Sequence, residues 1–163
     1  MSSVANTAAA ADAAAPAVTT EPKRPHPALA DRVGHLLAAT HHEMHQRADE
    51  ILEPFEIQIK QYAALAIADA DGPISQQALG ESIGCDRTTM VELMDDLERA
   101  GLTKRRRNPT DRRAYAIELT AAGRRVLARA GTKLRAAEKE FLDPLSDGER
   151  DQLRGMLLRL LDG

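Results

Sequence analysis

Two groups of residues in this chain could do chemistry. The first is cationic. Between Arg99 and Arg125, nine arginines and lysines stand against only Asp111 and Glu118, in a chain of formal net charge −3. A mildly acidic protein with one concentrated basic stretch is suited to meeting a polyanion at a single place. Asn108-Pro109-Thr110-Asp111 interrupts the stretch with turn chemistry, and Arg112 and Arg113 follow at once. The second group is the imidazoles of His41, His42 and His45. His41 and His45 are four apart and share a face on a helix. Such a pair can chelate zinc if Glu43 or Asp49 completes the set, can bind an anionic or phenolic molecule, can respond to pH, or can simply be surface or interface residues. Enzyme signatures are missing from the sequence: there is no Gly-rich phosphate loop, HExxH or nucleophile elbow. The one cysteine, Cys85, rules out an intramolecular disulfide and fits a reducing cytoplasm.

The elements that must position these groups are mostly helical. Only four residues are Phe or Tyr, and none is Trp. Ser75 can cap a short helix, a turn follows at Gly84, and Asp86 can cap a second helix through backbone N–H groups of its first turn. On that second helix Met90, Leu93, Met94, Leu97 and Ala100 repeat at helical spacing and make one apolar face. Gly101 follows, where a helix end often needs a left-handed residue. The opposite face begins with Arg87, Thr88, Thr89 and Glu92. Two short extended runs then flank the Asn108–Asp111 turn. On the second, Tyr115, Ile117 and Leu119 alternate with Ala114, Ala116 and Glu118, the period of a strand covered on one face. Helix, turn, helix and basic hairpin make a winged helix-turn-helix.

The segments SIGCDRTTMVELMDDLERAGLTKRRR, NPTDRRAYAIELT and TAAGRRVL resemble the MarR family of bacterial transcription regulators, over roughly Pro27 to Asp162. The Asp111-Arg112-Arg113 hairpin followed by Leu119-Thr120 is the most specific point of match. The resemblance implies a homodimeric regulator on double-stranded DNA. It places Arg113 in the minor groove, with Asp111 orienting it and Arg112 beside the backbone. It also implies a small aromatic or phenolic effector in a cleft between the dimer helices and the winged lobe, which makes His41, His42, His45 and Tyr62 candidate lining residues. Peroxide-sensing members carry their reactive cysteine near the start of the first helix. This chain has none there, and Cys85 reads instead as a small packing residue.

General recognition chemistry assigns the remaining roles. An α-helix fits the major groove, and its early residues meet base edges. Arg87 is shaped for guanine, Thr88 and Thr89 for phosphates or thymine methyls, and Glu92 for a cytosine amino group. Ser75 and Gln76, at the start of the supporting helix, are placed to hold a phosphate. Arg105, Arg106 and Arg107, on the strand leading to the tip, are expected on phosphates.

The ends of the chain complete the reading. Residues 1–27 are rich in Ala, Pro, Ser and Thr and are expected to be disordered. Ala28–Leu52 reads as a long helix with a stripe of Leu29, Val33, Leu36, Leu37, Met44, Ala48, Ile51 and Leu52, ended by Pro54. Gln58–Ala70 reads as a second helix. After the wing, Thr120 caps a helix with Val126, Leu127, Ala130, Leu134, Ala137 and Phe141 on its buried face. Ser146-Asp147-Gly148-Glu149 is a capping box that starts the last helix, on which Leu153, Met156, Leu157, Leu160 and Leu161 are apolar. Residues 28–56 and 121–163 are therefore expected to form a helical dimerisation region around a winged lobe of residues 57–120. The fold class is mainly α with a small β-wing. A two-fold dimer implies a pseudo-palindromic operator. No cofactor and no membrane span are expected. A metal-, pH- or thiol-responsive regulator of the same fold is the alternative, and a winged helix used only for protein docking is another.

Overall fold

The computed structural model describes residues 26–107 and 115–162, so most of the N-terminal tail and the hairpin tip with Asp111, Arg112 and Arg113 lie outside the described residues. Six α-helices and a three-stranded antiparallel sheet make up the described part. They run in the order α1 (Val33–Leu52), α2 (Ile59–Ala70), β1 (Ile74–Ser75), α3 (Gln76–Ile83), α4 (Arg87–Arg99), β2 (Thr103–Arg107), β3 (Tyr115–Leu119), α5 (Ala121–Phe141) and α6 (Asp147–Asp162).

Local signals set most helix ends. Gln58 and Gln61 form a reciprocal capping box at the start of α2. Ser75 Oγ accepts the Ala78 N–H at 3.1 Å, and Thr120 Oγ1 accepts that of Gly123 at 3.0 Å. At α6, Glu149 accepts the Ser146 N–H at 2.8 Å. Gly84 closes α3 at φ 71°, and Gly101 turns the chain out of α4 at φ 69°, a conformation that costs a residue with a Cβ.

Three expectations need correction. The first helix does not begin at Ala28. Pro27–Leu29 forms a single 3-10 turn capped by His26, Arg32 is extended, and α1 starts at Val33. Ala100 is exposed and does not belong to the buried face of α4, because it is the C-cap, beyond the last full turn. The second face of β3 is not simply open, since Ala116 is as enclosed as Ile117 and Leu119 while Glu118 on the same face is half-buried. Ala116 lies opposite Arg106 on one neighbouring strand and Ser75 on the other. In addition, β3 is the central strand. Ile74–Ser75 supplies a third strand that pairs with it, Ile74 opposite Ile117, on the edge away from β2.

The core lies between the end of α1, α2, α3, α4, the sheet and α5. Leu52, Leu65, Leu79, Met90, Met94, Leu97 and Ile117 are its fully enclosed side chains. Each contributes roughly 1.5–3 kcal/mol relative to exposure. Two glycines let helices approach. A Cβ on Gly123 would sit 2.1 Å from the Leu102 carbonyl oxygen, and one on Gly131 would sit 2.8 Å from the Tyr62 hydroxyl. Thr120 completes the first of these joints, donating its N–H to Leu102 O at 3.0 Å and its hydroxyl to Gly101 O at 2.7 Å. The end of α4 is thereby fixed to the start of α5.

The chain ends differ from this centre. Val33, Leu37, Met156, Leu157, Leu158, Leu160 and Leu161 are exposed, and no residue of α6 is buried. Arg150 ties the first turn of α6 back to the Leu142 carbonyl at 3.0 Å.

Candidate nucleic-acid interface

The supporting helix α3 and the second helix α4 meet through Gly80, where an added Cβ would lie 3.4 Å from the Met90 side chain. Asp86 fixes the start of α4. One carboxylate oxygen accepts the N–H groups of Thr88 and Thr89 at 2.9 and 3.0 Å, and the other accepts the Thr89 hydroxyl at 2.5 Å. The Thr89 hydroxyl, followed by these N–H groups, holds the Asp86 carboxyl below its ordinary value. Cys85 is half-buried and packs against the core.

With Met90, Leu93, Met94 and Leu97 turned inward, the outward face of α4 carries Arg87, Thr88, Val91 and Glu92, all exposed. Arg87 stands at the first helical position, where a long side chain can sweep past the end of the helix. Thr89 is half-buried, and its hydroxyl proton is already given to Asp86. Ser75 and Gln76 are half-buried at the start of α3, with Ser75 Oγ occupied as the cap. Val91, absent from the sequence-based set, is 39% exposed. Its signal was available: it sits four residues from Arg87, off the Met90/Leu93/Leu97 face.

The basic stretch is less free than its composition suggests. Arg105 is bound to Asp95 and Glu98 of α4 at 2.6 and 2.8 Å. Lys104 and Arg106 share Glu118, at 3.4 and 3.1 Å. Arg99 pairs with Asp96, and Arg124 with Asp69. Arg106 stays largely exposed, so its pair is screened by solvent and open to exchange. The wing residues Asp111, Arg112 and Arg113 lie outside the described residues, and Arg107 is placed only as the last residue of β2.

The histidines lie together on α1. His41 and His45 stack edge to face with ring centroids 5.7 Å apart, and His45 Nδ1 lies 3.0 Å from Asp49 Oδ2. His41, His42 and His45 are exposed. Tyr62 sits on α2 instead, packed against the core beside Gly131 of α5. Glu43 is paired with Arg47 at 2.8 Å. Among the described residues no three His, Cys, Asp or Glu side chains are grouped as a metal ion would need.

The comparisons agree with this architecture. The MarR family model matches residues 57–115. The transcriptional regulator HosA of Escherichia coli O111:H- is 39% identical over 100 residues, which span 61% of this chain and 73% of that protein. The chain belongs to the MarR family. A putative transcriptional regulatory protein for the hcr operon of Thauera aromatica is 36% identical over 61% of this chain, and the match spans 60% of that protein's length. Among solved structures, the transcriptional repressor CouR bound to a 23-mer DNA duplex is 29% identical, with a TM-score of 0.76, covering 85% of this chain and 99% of that one. CouR from Rhodococcus jostii RHA1 has also been solved with p-coumaroyl-CoA, at 28% identity, TM-score 0.76 and coverages of 83% and 95%.

The protein is thus a DNA-binding, MarR-family transcription regulator with a winged helix-turn-helix. No helix among the described residues is long and apolar enough to cross a membrane.

Proposed function

We propose that this MarR-family regulator is a homodimer that grips a pseudo-palindromic operator and represses transcription until a small aromatic or phenolic ligand releases it. The uncovered apolar faces at both chain ends carry this reading. Val33 and Leu37 on α1, and Leu157, Leu158, Leu160 and Leu161 on α6, face solvent although the winged lobe encloses its own apolar residues. A second copy covers such faces by two-fold symmetry, with 28–56 and 121–163 as the dimerisation region. The CouR structures on DNA and with p-coumaroyl-CoA support the two partners in kind.

On DNA, Arg87 pairs with guanine in the major groove, Val91 and Thr88 meet thymine methyls, and Glu92 accepts from a cytosine amino group. Ser75, Gln76, Arg106 and Arg107 track phosphates, whereas the Thr89 hydroxyl stays with Asp86. Arg113 enters the narrow minor groove, with Asp111 orienting it and Arg112 on the backbone. The effector occupies a cleft between the dimer helices and the winged lobe, with His41, His42, His45 and Tyr62 as its candidate lining residues. The regulator works in the cytoplasm, where its DNA is.

Selection of bound sites from random duplex DNA, with and without a panel of phenolic acids, tests the proposal. The expected product is an inverted repeat with half-sites about 34 Å apart, recovered less well with at least one acid. Recovery of asymmetric sites, or identical recovery under every acid, contradicts the dimer or the effector respectively.

A further inference from the structure

Arg105 stands in the basic stretch leading to the wing, where composition assigns it to a phosphate. Its surroundings argue for another role. Strand periodicity puts Lys104 and Arg106 on one face of β2, with Glu118 between them, and turns Arg105 to the other, toward α4. There Nη2 lies 2.6 Å from Asp95 Oδ1 and Nη1 lies 2.8 Å from Glu98 Oε2. The Arg105 backbone N–H also donates to Glu98 Oε1 at 3.4 Å. Asp95 and Glu98 are three residues apart, so they project from neighbouring turns of α4. A planar guanidinium can span two such carboxylates, whereas an ammonium is a single point of charge.

We infer that Arg105 is a positioning residue, a strap that fixes the angle between the recognition helix α4 and the strand that carries the wing. This rests on the DNA-binding reading above. Helix and wing must enter different grooves of one duplex at the same time, so the relation between them decides whether a sequence can be read. The strap also removes Arg105 from the phosphate-binding set, because its charge faces two carboxylates and its fork is occupied. The geometry fits no second role as well. The histidine pair on α1 lacks a third ligand, and the uncovered face of α6 already belongs to the dimer proposal.

The experiment compares wild type, Arg105→Ala, Arg105→Lys and the double variant Asp95→Asn/Glu98→Gln. Circular dichroism first establishes that each is folded at the assay temperature. Affinity is then measured for a selected operator and for a scrambled duplex across a salt series. Arg105→Ala is expected to lower the ratio of operator to scrambled affinity by ~10-fold, with the salt slope on scrambled DNA unchanged. Arg105→Lys should lose less. The double variant should lower the same ratio although it has shed two negative charges. Combining it with Arg105→Ala should add little, since both cut the same strap.

A phosphate contact gives a different pattern. Arg105→Ala would then weaken both duplexes alike and reduce the salt slope by about 0.9, and the double variant would bind both more tightly. Either result overturns the inference, as does a lowered melting temperature with the affinity ratio intact. Wild type that binds no duplex would overturn the DNA-binding reading itself, and the strap with it.

Discussion

Leu79, Met90, Met94 and Leu97 are enclosed by their own chain, whereas Leu157, Leu158, Leu160 and Leu161 lie uncovered on α6. The two regions are similarly rich in apolar side chains and differ in whether those side chains have found a partner. The winged lobe completes its core with α2, α3, the sheet and α5, and ties its parts together through Asp86, Thr120 and Arg105. The start of α1 and the whole of α6 carry apolar side chains without cover, although α1 buries Ala48 and Leu52 at its far end. One region therefore encloses its apolar side chains within the chain itself, and the other leaves them for the proposed second copy to cover. Regulation by a ligand suits such a division. A rigid reading head can be moved as a unit, through the fixed α4–α5 joint, by a change at the less self-sufficient end.

The largest effect is expected from Leu157→Glu with Leu161→Glu. Sedimentation should find single chains, and operator affinity should fall by at least ~100-fold, because two linked half-site contacts become independent. The winged lobe should keep its helical signal. Leu97→Ala attacks the other side of the comparison. It should cost about 3 kcal/mol in denaturant unfolding through the cavity it leaves.

Arg113→Ala should leave the melting temperature unchanged and weaken operator binding by roughly 10- to 100-fold in a gel-shift titration. Thr103→Val should do the reverse. The Thr103 hydroxyl is enclosed without a hydrogen-bond partner, so replacing it with a methyl should raise stability by about 1 kcal/mol with DNA affinity untouched.

The smallest effect concerns pH. The folded Asp86 carboxyl titrates below its ordinary value of 3.8. Its stabilising contribution is therefore complete above that value and disappears as pH falls through the lower folded value. Asparagine still caps but does not titrate. Melting temperatures of Asp86→Asn should match wild type less well near neutrality and converge with it in acid. A constant difference across pH would show that the carboxylate charge is irrelevant.

The sequence was most legible where the physics is local. Asp86, Ser75, Thr120 and Ser146 each act on N–H groups two or three residues away, so residue type and spacing announce the caps. Gly84 and Gly101 announced the positive φ that their turns adopt. The α4 stripe was legible for the same reason, except at Ala100, where periodicity runs on past the point at which the helix ends. Other features depend on which distant segments meet. The two-residue strand β1 is too short to have a period. Ala116 is enclosed on the strand that runs between β1 and β2, and Arg124 finds Asp69 fifty-five residues away. The candidate site divides in the same way. The outward positions of α4 could be read from the helix itself, except Val91, which an apolar residue on a polar face should have signalled. The occupation of Arg105 could not be read, because its partners stand on another element.

Native mass spectrometry of the wild-type protein with its selected duplex counts the chains that one operator holds. Two chains on one duplex are expected at low micromolar concentration, with no stable complex containing a single chain. One chain per duplex at every concentration, or no complex with any duplex in dilute salt, would contradict a dimeric regulator on DNA.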